Sequence, residues 1–67
     1  PSKGEAVLFA MAFKLNFEET KALLMSAEHA LTNSSKEDLI IRYFIEQKEY
    51  SINNLNYVLE KFCELKI

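Results

Sequence analysis

The stretch Ser34-Ser35-Lys36-Glu37-Asp38-Leu39-Ile40-Ile41-Arg42-Tyr43-Phe44-Ile45-Glu46 decides the fold. Its β-branched and aromatic residues make a strand over 39–45 the competing reading, because such side chains suit a pleated surface better than a helix. Two observations favour a helix over 36–48. Ser34 with Glu37, or Ser35 with Asp38, has the three-residue spacing at which a hydroxyl caps the orphan N–H groups of a first helical turn. A strand, moreover, has nothing to pair with elsewhere in the chain. The sequence holds one glycine, one proline and no Asn-Gly or Asp-Gly dipeptide from which to build a hairpin. As a helix, the segment wraps Leu39, Ile40, Ile41, Tyr43, Phe44 and Ile45 around more than half its circumference and leaves Lys36, Arg42, Glu46 and Glu49 wet.

Working outward, the same capping chemistry marks three further helices. Ser2 and Glu5 form a capping box that opens a helix over 3–14, and Asn16 with Glu19 opens one over 17–30. Ser51 opens the last, over 52–64, with Tyr50 placed to staple onto Leu55. The second helix carries Phe17, Thr20, Leu24, Ala27 and Leu31 on one stripe with Leu23 beside it, and the fourth carries Ile52, Leu55, Val58, Leu59 and Phe62. The first differs. Ala6 to Phe13 is apolar all round, which reads either as a helix enclosed by the other three or as one that borrows a partner. Phe9 and Phe13 form large anchors four residues apart, and Ala6, Ala10 and Ala12 permit close approach of another helix. The expected fold is all-α: one domain over 1–67, a small four-helix bundle with the first helix central and highly apolar.

Composition narrows the function classes. At 49% hydrophobic residues the 67-residue chain is too apolar for intrinsic disorder. Its single cysteine excludes an internal disulfide, so stability must come from packing, and a core this small stabilises by only a few kcal/mol. A partner is therefore expected. Residues 1–33 carry 3 basic and 4 acidic side chains and residues 34–67 carry 5 and 6, with one arginine, Arg42. No basic stripe results, so direct nucleic-acid binding by this segment is not expected. The longest apolar run, 6–13, is far short of the roughly 20 residues of a membrane helix and lacks the layout of a secretory signal. No membrane association is expected, and a soluble, cytoplasmic protein is. The chain begins at Pro1, as a processed or excised segment would.

Residues that carry chemistry do not assemble into a site. His29 has no second histidine and no cysteine at ligand spacing, which leaves zinc unsupported. Cys63 beside Phe62 reads as a small apolar filler, with no base and orienting group to make it a nucleophile. Glu18-Glu19 and Glu37-Asp38 fall in first helical turns, where the helix dipole accounts for them. Gly4 lies outside any phosphate-cradling motif, and Asn53 and Asn54 suit the exposed start of the fourth helix, a recognition role for the cluster they form with Asn56 being the lesser alternative. No catalytic residue, metal ligand or cofactor is expected. The candidate interaction residues are Phe9, Met11, Phe13, Tyr43 and Phe44, and the partner is expected to be protein, either a second copy in a homo-oligomer or an upstream domain of the same parent chain.

Several stretches resemble the trailing part of bacterial Cro/repressor-type (lambda repressor-like) helix-turn-helix proteins that carry an added C-terminal helical pair. These are Pro1-Ser2-Lys3 leading into an alanine-rich helix, Leu15-Asn16-Phe17-Glu18-Glu19-Thr20 with Leu23-Leu24, and Ser34-Ser35-Lys36 followed by Asp38-Leu39-Ile40-Ile41 and Tyr43-Phe44-Ile45-Glu46; Asn56, Leu59 and Phe62 continue the likeness. The resemblance implies that the first two helices buttress a DNA-reading pair lying upstream, so no base-contacting residue is carried by this chain. Glu28-His29 stands where that pattern has a glycine and an aromatic, and Cys63 to Ile67 departs from its apolar ending. The expected function is a non-enzymatic interaction or oligomerisation module of a bacterial regulatory protein; the alternative is the supporting half of a DNA-binding regulator.

Overall fold

The computed structural model describes residues 2–67 and contains, among them, four helices and no strand: α1 Lys3–Ala12, α2 Phe17–Ser26, α3 Lys36–Glu46 and α4 Ile52–Cys63. The segment that could have been a strand is α3. Each helix begins where a side chain satisfies the orphan N–H groups. Ser2 Oγ accepts the Glu5 N–H at 3.1 Å while Glu5 Oε1 accepts the Ser2 N–H at 2.9 Å. Asn16 and Glu19 repeat the reciprocal pair at 2.8 and 2.9 Å. Of the two serines before α3, Ser35 is the cap, accepting the Asp38 N–H at 3.1 Å, and Ser51 caps α4 through the Asn54 N–H at 3.2 Å.

The helices end earlier than their apolar periodicity implies, at Ala12, Ser26, Glu46 and Cys63 instead of 14, 30, 48 and 64. The cause is four residues in the left-handed region: Lys14, Glu28, Lys48 and Glu64, with φ of 54°, 61°, 57° and 55°. At the first three ends the turn is a Schellman motif. The Leu15, His29 and Glu49 N–H groups donate to the carbonyls of Ala10, Leu24 and Phe44 at 3.0, 2.8 and 2.9 Å, and these bonds enclose those from the Lys14, Glu28 and Lys48 N–H groups to the carbonyls of Met11, Met25 and Ile45. Glycine ordinarily signals such an end. Here Lys and Glu take the position, so the stop is invisible to pattern reading.

Short connections pair α1 with α2 and α3 with α4 as two helical hairpins. Their buried faces share one core: Ala6, Val7, Ala10 and Met11 from α1, Leu24 from α2, Ile41, Phe44 and Ile45 from α3, and Leu55 and Leu59 from α4. α1 thus contributes four of the ten buried apolar residues, the largest share of any helix. It is not enclosed on every side, however, because its outer edge carries Phe9 and Phe13 into solvent. Phe62, placed on the buried stripe of α4 by its spacing, is also exposed. Tyr50 packs against the core cluster, and its hydroxyl donates to the Leu15 carbonyl at 2.9 Å, joining the two hairpin turns. The tail folds back so that the Asn56 amide accepts the Ile67 N–H at 2.7 Å and donates to the Ile67 carbonyl at 3.0 Å. Among the described residues no helix is long and apolar enough to cross a membrane.

Candidate functional site

Among the described residues no three His, Cys, Asp or Glu side chains cluster so as to hold a metal. Cys63 is half-buried and packs against the core, and His29 is tied to the end of α2 through its backbone N–H.

The one buried carboxylate among the described residues is Asp38, which its place in a first helical turn does not foreshadow. The Thr32 N–H donates to Oδ2 at 2.8 Å and the Thr32 hydroxyl at 3.2 Å, and the Lys3 ammonium stands 2.7 Å from Oδ1, its one partner among the described residues. Burial pushes the carboxyl up, but Lys3 and the Thr32 donors outweigh it and hold the group below its ordinary range. Asp38 is therefore an anion whose acceptors are committed to tying the α2–α3 loop and the start of α1 onto α3. Such a group locks structure; it has no proton to give at neutral pH. Glu5 is lowered as well, by the Ser2 N–H and then the Ser2 hydroxyl it serves in its capping box.

What the surface offers instead is apolar area. Of the five candidate interaction residues, Met11 and Phe44 are buried and belong to the core, which corrects their assignment to an interaction surface; their helical positions point inward. Phe9, Phe13 and Tyr43 stay at 59%, 66% and 62% exposure. Phe9 and Phe13 stack on each other with ring centroids 5.0 Å apart and planes 25° from parallel, so they present one continuous aromatic surface along α1. Beside it a groove lined by Glu5, Ala6, Phe9 and Leu23 runs between α1 and α2.

Tyr43 lies on the other hairpin, above a second groove lined by Leu39, Ile40, Gln47, Glu49 and Val58, with an edge of the largely buried Phe44 at its floor. Leu39, Phe62, Tyr57 and Met25 are further exposed apolar residues that the sequence reading did not single out as a surface. Leu39 and Phe62 were hidden in stripes read as core-facing, because a periodic pattern does not say how wide a face its neighbours cover.

Between the two faces, the Phe17 ring is flanked by cations, with Lys21 Nζ 4.9 Å and the Arg42 guanidinium 4.5 Å from its centroid. Arg42 also donates to Asn33 at 3.2 Å and pairs with Glu46 at 3.3 Å. The one arginine is thus occupied by contacts within the domain, which hold α2 against α3.

These features define a small all-α four-helix bundle with exposed apolar faces and a charged lock at one end. No family model matches the chain, and no curated protein or solved structure is significantly similar to it.

Proposed function

We propose that the chain is a non-enzymatic helical module that acts by binding protein through the outer face of α1. The observation that carries this is the Phe9–Phe13 stack. Two large rings lie more than half exposed and mutually ordered, next to a groove between helices. Exposed aromatic clusters beside grooves are the anchors of helix-mediated interfaces.

A photoreactive residue in place of exposed Ala12, on the turn beside the two rings, tests the proposal. Adducts with another protein chain, of the same or a different kind, are expected in the parent background and are expected to vanish in a Phe9→Asp/Phe13→Asp double variant that keeps its helical circular dichroism. Adducts that survive the two aspartates, or none at all, refute it.

A second reading makes the segment the supporting half of a helix-turn-helix regulator whose reading helix lies upstream. The resemblance over residues 15–24 and 34–46 motivates it, with Glu28-His29 a departure from that pattern. The 67-residue chain alone is then expected to give no gel shift with DNA at low salt, and clear retardation overturns that assignment of roles.

A further inference from the structure

We propose that Asn56 of α4 and the first turn of α1 form a receptor for an extended peptide. Residues 65–67 of the same chain occupy it in cis, and a separate segment in which a cation precedes a β-branched aliphatic residue occupies it in trans. The kind of occupant is visible in the structure. The Ile67 N–H donates to Asn56 Oδ1 at 2.7 Å, and the Asn56 amide nitrogen donates to the Ile67 carbonyl at 3.0 Å. This is the exchange of bonds that holds paired residues of antiparallel strands, made here by a side chain. It grips the main chain of whatever lies there, as strand-capturing sites do, and leaves selectivity to the surroundings.

Those surroundings suit Lys66 and Ile67. The Ile67 side chain packs on the core cluster and lies directly over the α1 backbone, where a methyl built on Gly4 would stand 3.4 Å from Ile67 Cγ2. One residue earlier, Lys66 Nζ is 3.4 Å from the Glu60 carboxylate. Glu37 borders the same site and makes no ion pair among the described residues, whereas Lys3, on the α1 wall, is spent on Asp38. The rim therefore favours a cation.

Two observations make the cis segment a replaceable occupant. A cleft of about 480 Å³ stays open beside it, walled by Val7 and Leu8 of α1 and Ile41 of α3, so residues 65–67 fill only part of the space. The segment also reaches Asn56 only through the left-handed backbone of Glu64, φ 55°, followed by a long 3.3 Å bond from the Leu65 N–H to the Leu59 carbonyl. A separate peptide needs no such turn. Leaving the site empty is unfavourable, because the half-buried Asn56 amide then loses both partners, so one occupant is exchanged for another.

The site includes neither Phe9 nor Phe13, so either surface can fail without the other. A peptide of residues 64–67, blocked at both ends, is titrated into the ¹⁵N-labelled 67-residue chain carrying Ile67→Asp, which unseats the cis segment. Saturable shifts of the Asn56 side-chain amide are expected. Ile67→Asp in the peptide abolishes them, and Lys66→Glu in the peptide weakens binding about twofold to fivefold. Adding Asn56→Ala to the chain weakens binding about tenfold, followed at the Gly4 amide. In the parent chain the cis segment competes at an effective concentration in the millimolar range; about tenfold more peptide is needed, and the displaced Ile67 amide then exchanges faster. The proposal is overturned by the absence of saturable shifts at about 10 mM peptide, by a peptide indifferent to its own Ile67→Asp, or by binding of equal strength after Asn56→Ala. A parent Ile67 amide whose exchange the peptide leaves unchanged overturns it too, whether or not the Ile67→Asp chain folds.

Discussion

Removing the Asp38 carboxylate tests the charged lock at the end of the bundle, and its magnitude can be worked from the contacts. Asp38→Ala deletes two hydrogen bonds from Thr32, at 2.8 and 3.2 Å, together with the 2.7 Å ion pair to Lys3. Hydrogen bonds to a charged acceptor contribute about 1.5–3 kcal/mol each, and breaking a buried pair costs about 3–5 kcal/mol. The Lys3 side chain is one-third exposed, so its ammonium rehydrates once its partner is gone, which holds the total to about 3–4 kcal/mol.

A chain of this length has a stability of only about 3–10 kcal/mol at 0.05–0.15 kcal/mol per residue, so the variant approaches the unfolding threshold. Lys3→Met deletes only the ion pair. Even so, it leaves the buried Asp38 anion with its two Thr32 bonds but without its counter-ion, at a cost of about 3–5 kcal/mol.

The assay is urea denaturation followed by circular dichroism at pH 7 and at stepwise lower pH. Because the folded-state pKa of Asp38 lies below its unfolded value, its contribution is fully present above the unfolded pKa, about 3.9, and is lost as pH falls through the folded pKa. The parent chain therefore loses stability on acidification below about pH 4, and Asp38→Asn loses less over the same interval. An Asp38→Ala variant within about 1 kcal/mol of the parent, or an Asp38→Asn variant with an equally steep acid limb, refutes the assignment of Asp38 as a lock.

Three further outcomes are expected. Glu28→Gly and Lys48→Gly each relieve a left-handed backbone at a helix end and are expected to stabilise by about 0.5–1 kcal/mol, a rise of several degrees in Tm by thermal melting. Gly4→Ala places a methyl at ordinary contact, 3.4–3.5 Å from the Ile67 side chain, and is expected to gain up to about 1 kcal/mol of helix propensity in the same assay. Asn56→Ala removes the amide that holds both polar groups of the Ile67 backbone, and amide exchange is expected to accelerate at Ile67 while the core amides of α3 keep their protection.

The candidate surface was partly legible. Phe9 and Phe13 could be picked out because a helix apolar all round must leave something uncovered in a domain that buries only about 60% of its surface. Met11 and Phe44 could not be separated from them, since choosing among neighbouring apolar positions requires knowing which side of a helix its partners occupy. On α1 that choice put Ala6, Val7, Ala10 and Met11 inside and left Phe9 and Phe13 out. The Asp38 lock was illegible for a different reason. Glu37-Asp38 in a first helical turn is a common surface pairing, and nothing local distinguishes the carboxylate that will be buried.

What the amino-acid order determined by itself is where each helix starts and that all four segments are helical. A cap is a contact between residues three apart, complete within one turn and indifferent to the rest of the chain, as Ser2, Asn16, Ser35 and Ser51 each show. Only the tertiary structure decided where the helices stop and which apolar faces stay wet. Lys14, Glu28, Lys48 and Glu64 carry no intrinsic preference for a left-handed turn and adopt it where packing of the next segment demands reversal. The Tyr50 hydroxyl on the Leu15 carbonyl and the Lys3 ammonium on Asp38 join residues far apart in the chain, and such pairings exist only once the hairpins have docked.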